Sequence, residues 1–98
     1  MKTLTVFRGD DTDIWGQSLF TIHLKNSTNK KIKRADIICG EIIKTINEPI
    51  FPLRFNLNYE ESNKLKSINH CFLVLYDELG RKKTYEAGLT IHSKKGAN

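Results

Sequence analysis

Apolar and polar residues alternate with a period of two through much of this chain. Phe20, Ile22 and Leu24 alternate with Thr21 and His23, which predicts a strand with one buried face. Residues 26–34 (NSTNKKIKR) are a polar, turn-prone break. Ile37, Ile38, Ile42, Ile43 and Ile46 then dominate residues 35–46, and this β-branched density predicts a strand. Gly40-Glu41 interrupts its alternation, and a bulge there restores the phase. Pro49 and Pro52 mark the turn that follows. Leu53, Phe55 and Leu57 alternate with Arg54 and Asn56 after Phe51, the cleanest strand signal in the sequence. Asn58 with Glu61 three residues later has the form of a capping box, so a short helix is expected over 59–65. The apolar run CFLVLY, residues 71–76, reads as a central strand. Asp77 to Gly80 is a hairpin turn in which Gly80 supplies a positive φ. The last strand is expected over 82–92, with Leu89 and Ile91 inward.

Six or seven short strands with one short helical turn, and no alternation of strands with helices, predict an all-β, immunoglobulin-like antiparallel β-sandwich. The shared phase nominates Phe20, Ile22, Leu24, Leu53, Phe55, Leu73, Leu75, Leu89 and Ile91 as core. Residues 1–92 are expected to form one domain and 93–98 a frayed, flexible tail. At 98 residues the chain suits one domain, and 39% apolar with 28% charged residues is globular composition, not that of a disordered segment.

Charge changes the picture only slightly. Sixteen Lys plus Arg against eleven Asp plus Glu give a net charge of +5. The basic residues fall mainly in polar connections: Lys30, Lys31, Lys33 and Arg34, then Arg81, Lys82 and Lys83, then Lys94 and Lys95. Lysines so placed keep sheets soluble and discourage edge pairing, so a nucleic-acid partner is not expected. No signal h-region follows Met1 and no apolar run approaches membrane-spanning length, so no export and no membrane partner are expected, and the sequon Asn26-Ser27-Thr28 is read as unglycosylated. Cys39 and Cys71 are read as free thiols of a reducing compartment.

Candidate chemistry is sparse. In Asp10-Asp11-Thr12-Asp13 an EF-hand loop starting at Asp11 fails at Trp15 and at Ile22, where a bidentate Glu is required. His23, His70 and His92 lack metal-ligand spacing. No frame such as GxSxG holds a nucleophile, and no glycine-rich phosphate loop is present. No catalytic residue, metal or cofactor is expected. Arg8-Gly9-Asp10 is the tripeptide read by adhesion receptors, but Gly9 as a turn and Asp10 or Asp11 as acceptors for local amides account for it, with Arg8 expected beside a carboxylate. Of the large aromatics, Phe7 is expected in the core. Arg8, Trp15, Tyr59 and Arg81 are the candidate partner contacts.

Four pieces occur in order: FRGDD at Phe7–Asp11; KKIKRADI at Lys30–Ile37; FNLNYEESNKL at Phe55–Leu65; and LVLYDELGRKKTYEAGLTI at Leu73–Ile91. Together they resemble the small immunoglobulin-like modules of bacteriophage tail and baseplate proteins, including the N-terminal module of upper baseplate proteins. Lys31–Ala35 departs from the loop usual there. The resemblance implies a non-enzymatic structural or assembly protein of a phage or prophage. Its partners would be other virion proteins or copies of itself, and its place the virion or, before assembly, the host bacterial cytoplasm. A receptor- or carbohydrate-binding module is the competing reading, and a small basic nucleic-acid-binding β protein a further one.

Overall fold

The computed structural model describes residues 3–20, 32–50 and 52–93. The predicted strand positions Ile22 and Leu24, the sequon, His23 and the tail beyond Ser93 lie outside these residues. The elements are β1 (Thr3–Phe7), β2 (Thr12–Trp15), α1 (Gly16–Phe20), β3 (Ile32–Cys39), β4 (Ile42–Asn47), β5 (Arg54–Leu57), α2 (Tyr59–Lys64), β6 (Ile68–Asp77) and β7 (Lys82–His92).

They form a five-stranded sheet in the order β1-β7-β6-β3-β4 and a two-stranded sheet, β2-β5. All pairs are antiparallel except β1 with β7, which is parallel. The fold is an immunoglobulin-like β-sandwich. One face of each sheet meets in a single core. Val6 of β1, Ala35, Ile37 and Cys39 of β3, Cys71, Leu73 and Leu75 of β6, and Ala87, Leu89 and Ile91 of β7 face Ile14, Leu53, Phe55 and Leu57 from the smaller sheet side. The residues nominated as core by their shared phase that fall within the described segments, Phe20, Leu53, Phe55, Leu73, Leu75, Leu89 and Ile91, are buried.

The β6–β7 turn forms as its sequence predicts. Gly80 has φ +80, its amide donates to the Asp77 carbonyl at 3.1 Å, and the Asp77 carboxylate accepts from the amides of Leu79 and Arg81, each at 2.9 Å. The α2 cap also forms. Asn58 accepts from the Glu61 amide and Glu61 accepts from the Asn58 amide, both at 2.9 Å.

Three expectations are corrected. Residues 35–46 are not one bulged strand. They are a hairpin, β3 and β4, closed by the two-residue turn Gly40-Glu41 with Gly40 at φ +56. Phe20 does not start a strand; it ends α1, a second short helix that buries Leu19 and Phe20. Gly16 starts that helix where space is small: its amide donates to the Leu53 carbonyl at 2.7 Å, and an added Cβ would lie 3.2 Å from Leu53 Cβ. Phe7 is not core but 45% exposed, because Leu4 and Val6 take the inward phase of β1; its ring meets His92 edge-on at 5.4 Å.

Candidate interaction surface

The FRGDD stretch is used inside the molecule. The Arg8 guanidinium reaches the C-terminal end of α2, where Nη1 donates to the carbonyls of Ser62 (3.4 Å), Asn63 (3.0 Å) and Leu65 (2.8 Å). A cation on the last carbonyls of a helix satisfies orphan acceptors and complements the helix dipole. Gly9, at φ +86, donates its amide to Ser62 Oγ at 2.8 Å, and that hydroxyl donates to the Tyr59 carbonyl. Asp11 Oδ1 accepts from the Tyr59 amide, the first of the helix, at 2.5 Å. The tripeptide and the following aspartate thus hold both ends of α2 against β1. Arg8 is paired with helix carbonyls where a carboxylate was expected, and Asp11 serves an amide far away in sequence.

The four candidate contacts do not converge. Arg8 is engaged at one end of α2 and Tyr59, 56% exposed, stands at the other. Arg81 lies at the tip of the β6–β7 hairpin, its Nε 3.4 Å from Asp77 Oδ2. Trp15, 44% exposed at the end of β2, pairs across the small sheet with Arg54, whose guanidinium lies 5.5 Å from the ring centre. Trp15 borders an open cleft of about 570 Å³, whose other walls include Ile46, Glu48, Ile50, Pro52 and Arg54.

The outward face of the larger sheet carries an apolar stripe. Register aligns its side chains in rows across β7, β6, β3 and β4. One row is Glu86, Phe72, Ile38 and Ile43. The next is Thr84, Val74, Asp36 and Thr45. The third is Lys82, Tyr76, Arg34 and Asn47. Ile43 is 69% exposed, while Ile38, Phe72, Val74 and Tyr76 are half-buried by one another. Polar pairs rim this stripe. His70 stacks on Phe72 at 4.6 Å and lies 3.5 Å from Glu86. Arg34 lies 4.2 Å over the Tyr76 ring and 3.2 Å from Asp36, which also accepts from Thr45 Oγ1. The signal for this face was present in the sequence. CFLVLY is apolar on both phases, and in an antiparallel sheet covered on one side half of such a run must face outward.

The thiols of Cys39 and Cys71 are both buried and free. Among the described residues, no group of three or more His, Cys, Asp or Glu side chains is arranged to hold a metal ion, and no helix is long and apolar enough to cross a membrane.

No protein-family model matches this chain, and no curated protein does. Among solved structures, the fibronectin(III)-like modules of Clostridium thermocellum CbhA superpose with a TM-score of 0.58 at 11% identity, over 94% of this chain and 88% of that one. The fold is fibronectin(III)-like. At this identity the likeness concerns the fold alone.

Proposed function

We propose that this chain is a non-enzymatic interaction module, and that it serves as a structural or assembly protein of a phage or prophage particle through contacts with other virion proteins. The outward face of the five-stranded sheet carries the reading. An apolar row of Phe72, Ile38 and Ile43 crosses three strands and is bordered by charged and polar side chains, the pattern of an interface core with its rim. Trp15 and Tyr59 are the candidates for contacts outside this face. The non-enzymatic reading is in keeping with two buried cysteines, Cys39 and Cys71, and with a Ser62 hydroxyl committed to Gly9 and Tyr59. The virion reading rests on the order of the sequence motifs, and its localisation to the particle, or to the bacterial cytoplasm before assembly, rests on the same ground.

Two measurements separate the module from the particle. Ile43→Asp and Ile38→Asp variants should lose a partner that the wild type binds, with little change in thermal midpoint for the exposed Ile43. A partner that binds both variants as tightly as the wild type removes this face as the interface. Mass spectrometry of purified particles from an induced lysogen carrying the gene should find the chain at stoichiometric level, and its absence from them rejects the virion role alone. A second reading is favoured by the cleft beside Trp15. An exposed indole with Arg54 and Glu48 at its rim suits a saccharide ring, and glycan-array binding lost on Trp15→Ala would establish it.

A further inference from the structure

Cys39 closes β3 and Cys71 lies within β6, and the register sets them directly opposite one another. The Gly40 amide donates to the His70 carbonyl at 3.4 Å. Residues 40 and 70 therefore form a hydrogen-bonded pair, and 39 and 71, one step along, form the non-hydrogen-bonded kind. At such positions antiparallel Cα atoms approach to about 4.5 Å, and facing side chains are at their nearest. That separation lies inside the range a disulfide spans, about 4.4–6.8 Å. Both side chains point into the core, in phase with Ile37 and Leu73. The neighbour of Cys71 on β7 is Ala87, so no bulky side chain crowds that flank.

We infer that Cys39 and Cys71 are a cross-strand thiol pair that closes to an intramolecular disulfide when the chain folds in the presence of a low-molecular-weight disulfide such as oxidised glutathione. One thiol loses its proton and its sulfur attacks a glutathione sulfur. This breaks the glutathione S–S bond, releases one reduced glutathione and leaves a mixed disulfide. The second thiol, deprotonated in turn, displaces the other glutathione. The sum is one protein disulfide and two reduced glutathiones, with the two protein sulfurs oxidised and the glutathione disulfide reduced. Both sulfurs are shielded in the folded state, so closure belongs to the folding chain or to a frayed β3–β4 corner. The bridge differs from that of antibody domains, which joins the two sheets. Here it ties two adjacent strands of one sheet and closes a loop of roughly thirty residues.

The test is refolding of the full chain with oxidised glutathione, followed by intact-mass measurement and thiol titration in denaturant. The expected product is a monomer lacking two hydrogens, with no titratable thiol. Its thermal midpoint should be higher by on the order of 10 °C, a gain abolished by dithiothreitol. Cys39→Ala and Cys71→Ala should each yield only glutathione adducts or a free thiol. Two thiols remaining in the refolded wild type, or disulfide-linked dimers in place of the bridge, would overturn the inference. A bridged monomer that melts below the reduced form would overturn it as well, since the native register would then not accommodate the bond.

Discussion

Arg8 shows how one side chain can carry a motif that invites another reading. Its guanidinium serves three carbonyls at the end of α2, and the chain is folded around that contact. Hydrogen bonds to a charged group are worth about 1.5–3 kcal/mol, so Arg8→Ala should lower stability by about that amount in urea denaturation. An unchanged midpoint would show that water replaces the guanidinium without loss. Ser62 is the companion case. Its buried hydroxyl accepts from Gly9 and donates to Tyr59, so Ser62→Ala strands the Gly9 amide and should cost about 1–3 kcal/mol. Phe55, almost fully buried, should cost about 3–5 kcal/mol on truncation to Ala. A Phe55→Ala midpoint close to the wild type's would mean that its pocket collapses onto the smaller residue.

At the scale of elements, what the sequence reveals depends on how local the signal is. The α2 capping box and the Asp77–Gly80 turn are closed by residues within four positions of each other, and both form as expected. Where local signals permit two structures, the reading divides. A bulge at Gly40-Glu41 and a two-residue hairpin turn both move the inward phase from odd residues (35, 37, 39) to even ones (42, 44, 46), so periodicity alone does not separate them. The positive φ of Gly40 suits either. Helix α1 has only five residues and a glycine at its start, too short to display a helical period. The clamp from Arg8, Gly9 and Asp11 to α2 spans 48 to 57 positions, beyond the reach of any motif.

The same helix gives a pH prediction. Glu61 is disfavoured as an anion by partial burial, but its bonds to Lys44, at 2.8 Å, and to the Asn58 amide outweigh this and hold its pKa below the usual carboxylate range. A carboxylate depressed on folding contributes stability at pH values above its unfolded pKa, about 4.3, and loses it as pH falls through the folded value. Glu61→Gln keeps an acceptor for the cap but removes the charge facing Lys44. The gap in thermal midpoint between wild type and Glu61→Gln should therefore be steady from pH 7 to about 5 and narrow below about 4. A gap that persists unchanged to about pH 2.5 would exclude the ion pair as its source.

For the whole molecule the question is what the charge of +5 does. Several of the cations are locally engaged. Lys33 lies 3.5 Å from Glu48, Lys44 bonds Glu61, Arg34 covers Tyr76 and contacts Asp36, and Arg81 lies against Asp77. Adjacent lysines on β7 also diverge: Lys82 shares the outward row with Tyr76, while Lys83 takes the opposite phase beside Tyr85. One row, Lys82-Tyr76-Arg34, does interleave cations with an aromatic ring as single-strand binders do. The rows beside it bring Asp36 and Glu86 onto the same face, where a phosphate chain tracking across the sheet would meet carboxylates. Few phosphates can then be engaged at once, and non-specific affinity falls with each counterion not released. Titration of labelled duplex and single-stranded DNA should show weak binding that disappears at moderate salt for both. Micromolar binding of the single strand that survives about physiological ionic strength and is lost on Tyr76→Ala would instead make the sheet face a nucleic-acid platform. Persistent duplex binding that weakens when Arg81, Lys82 and Lys83 are neutralised together would assign that role to the hairpin tip.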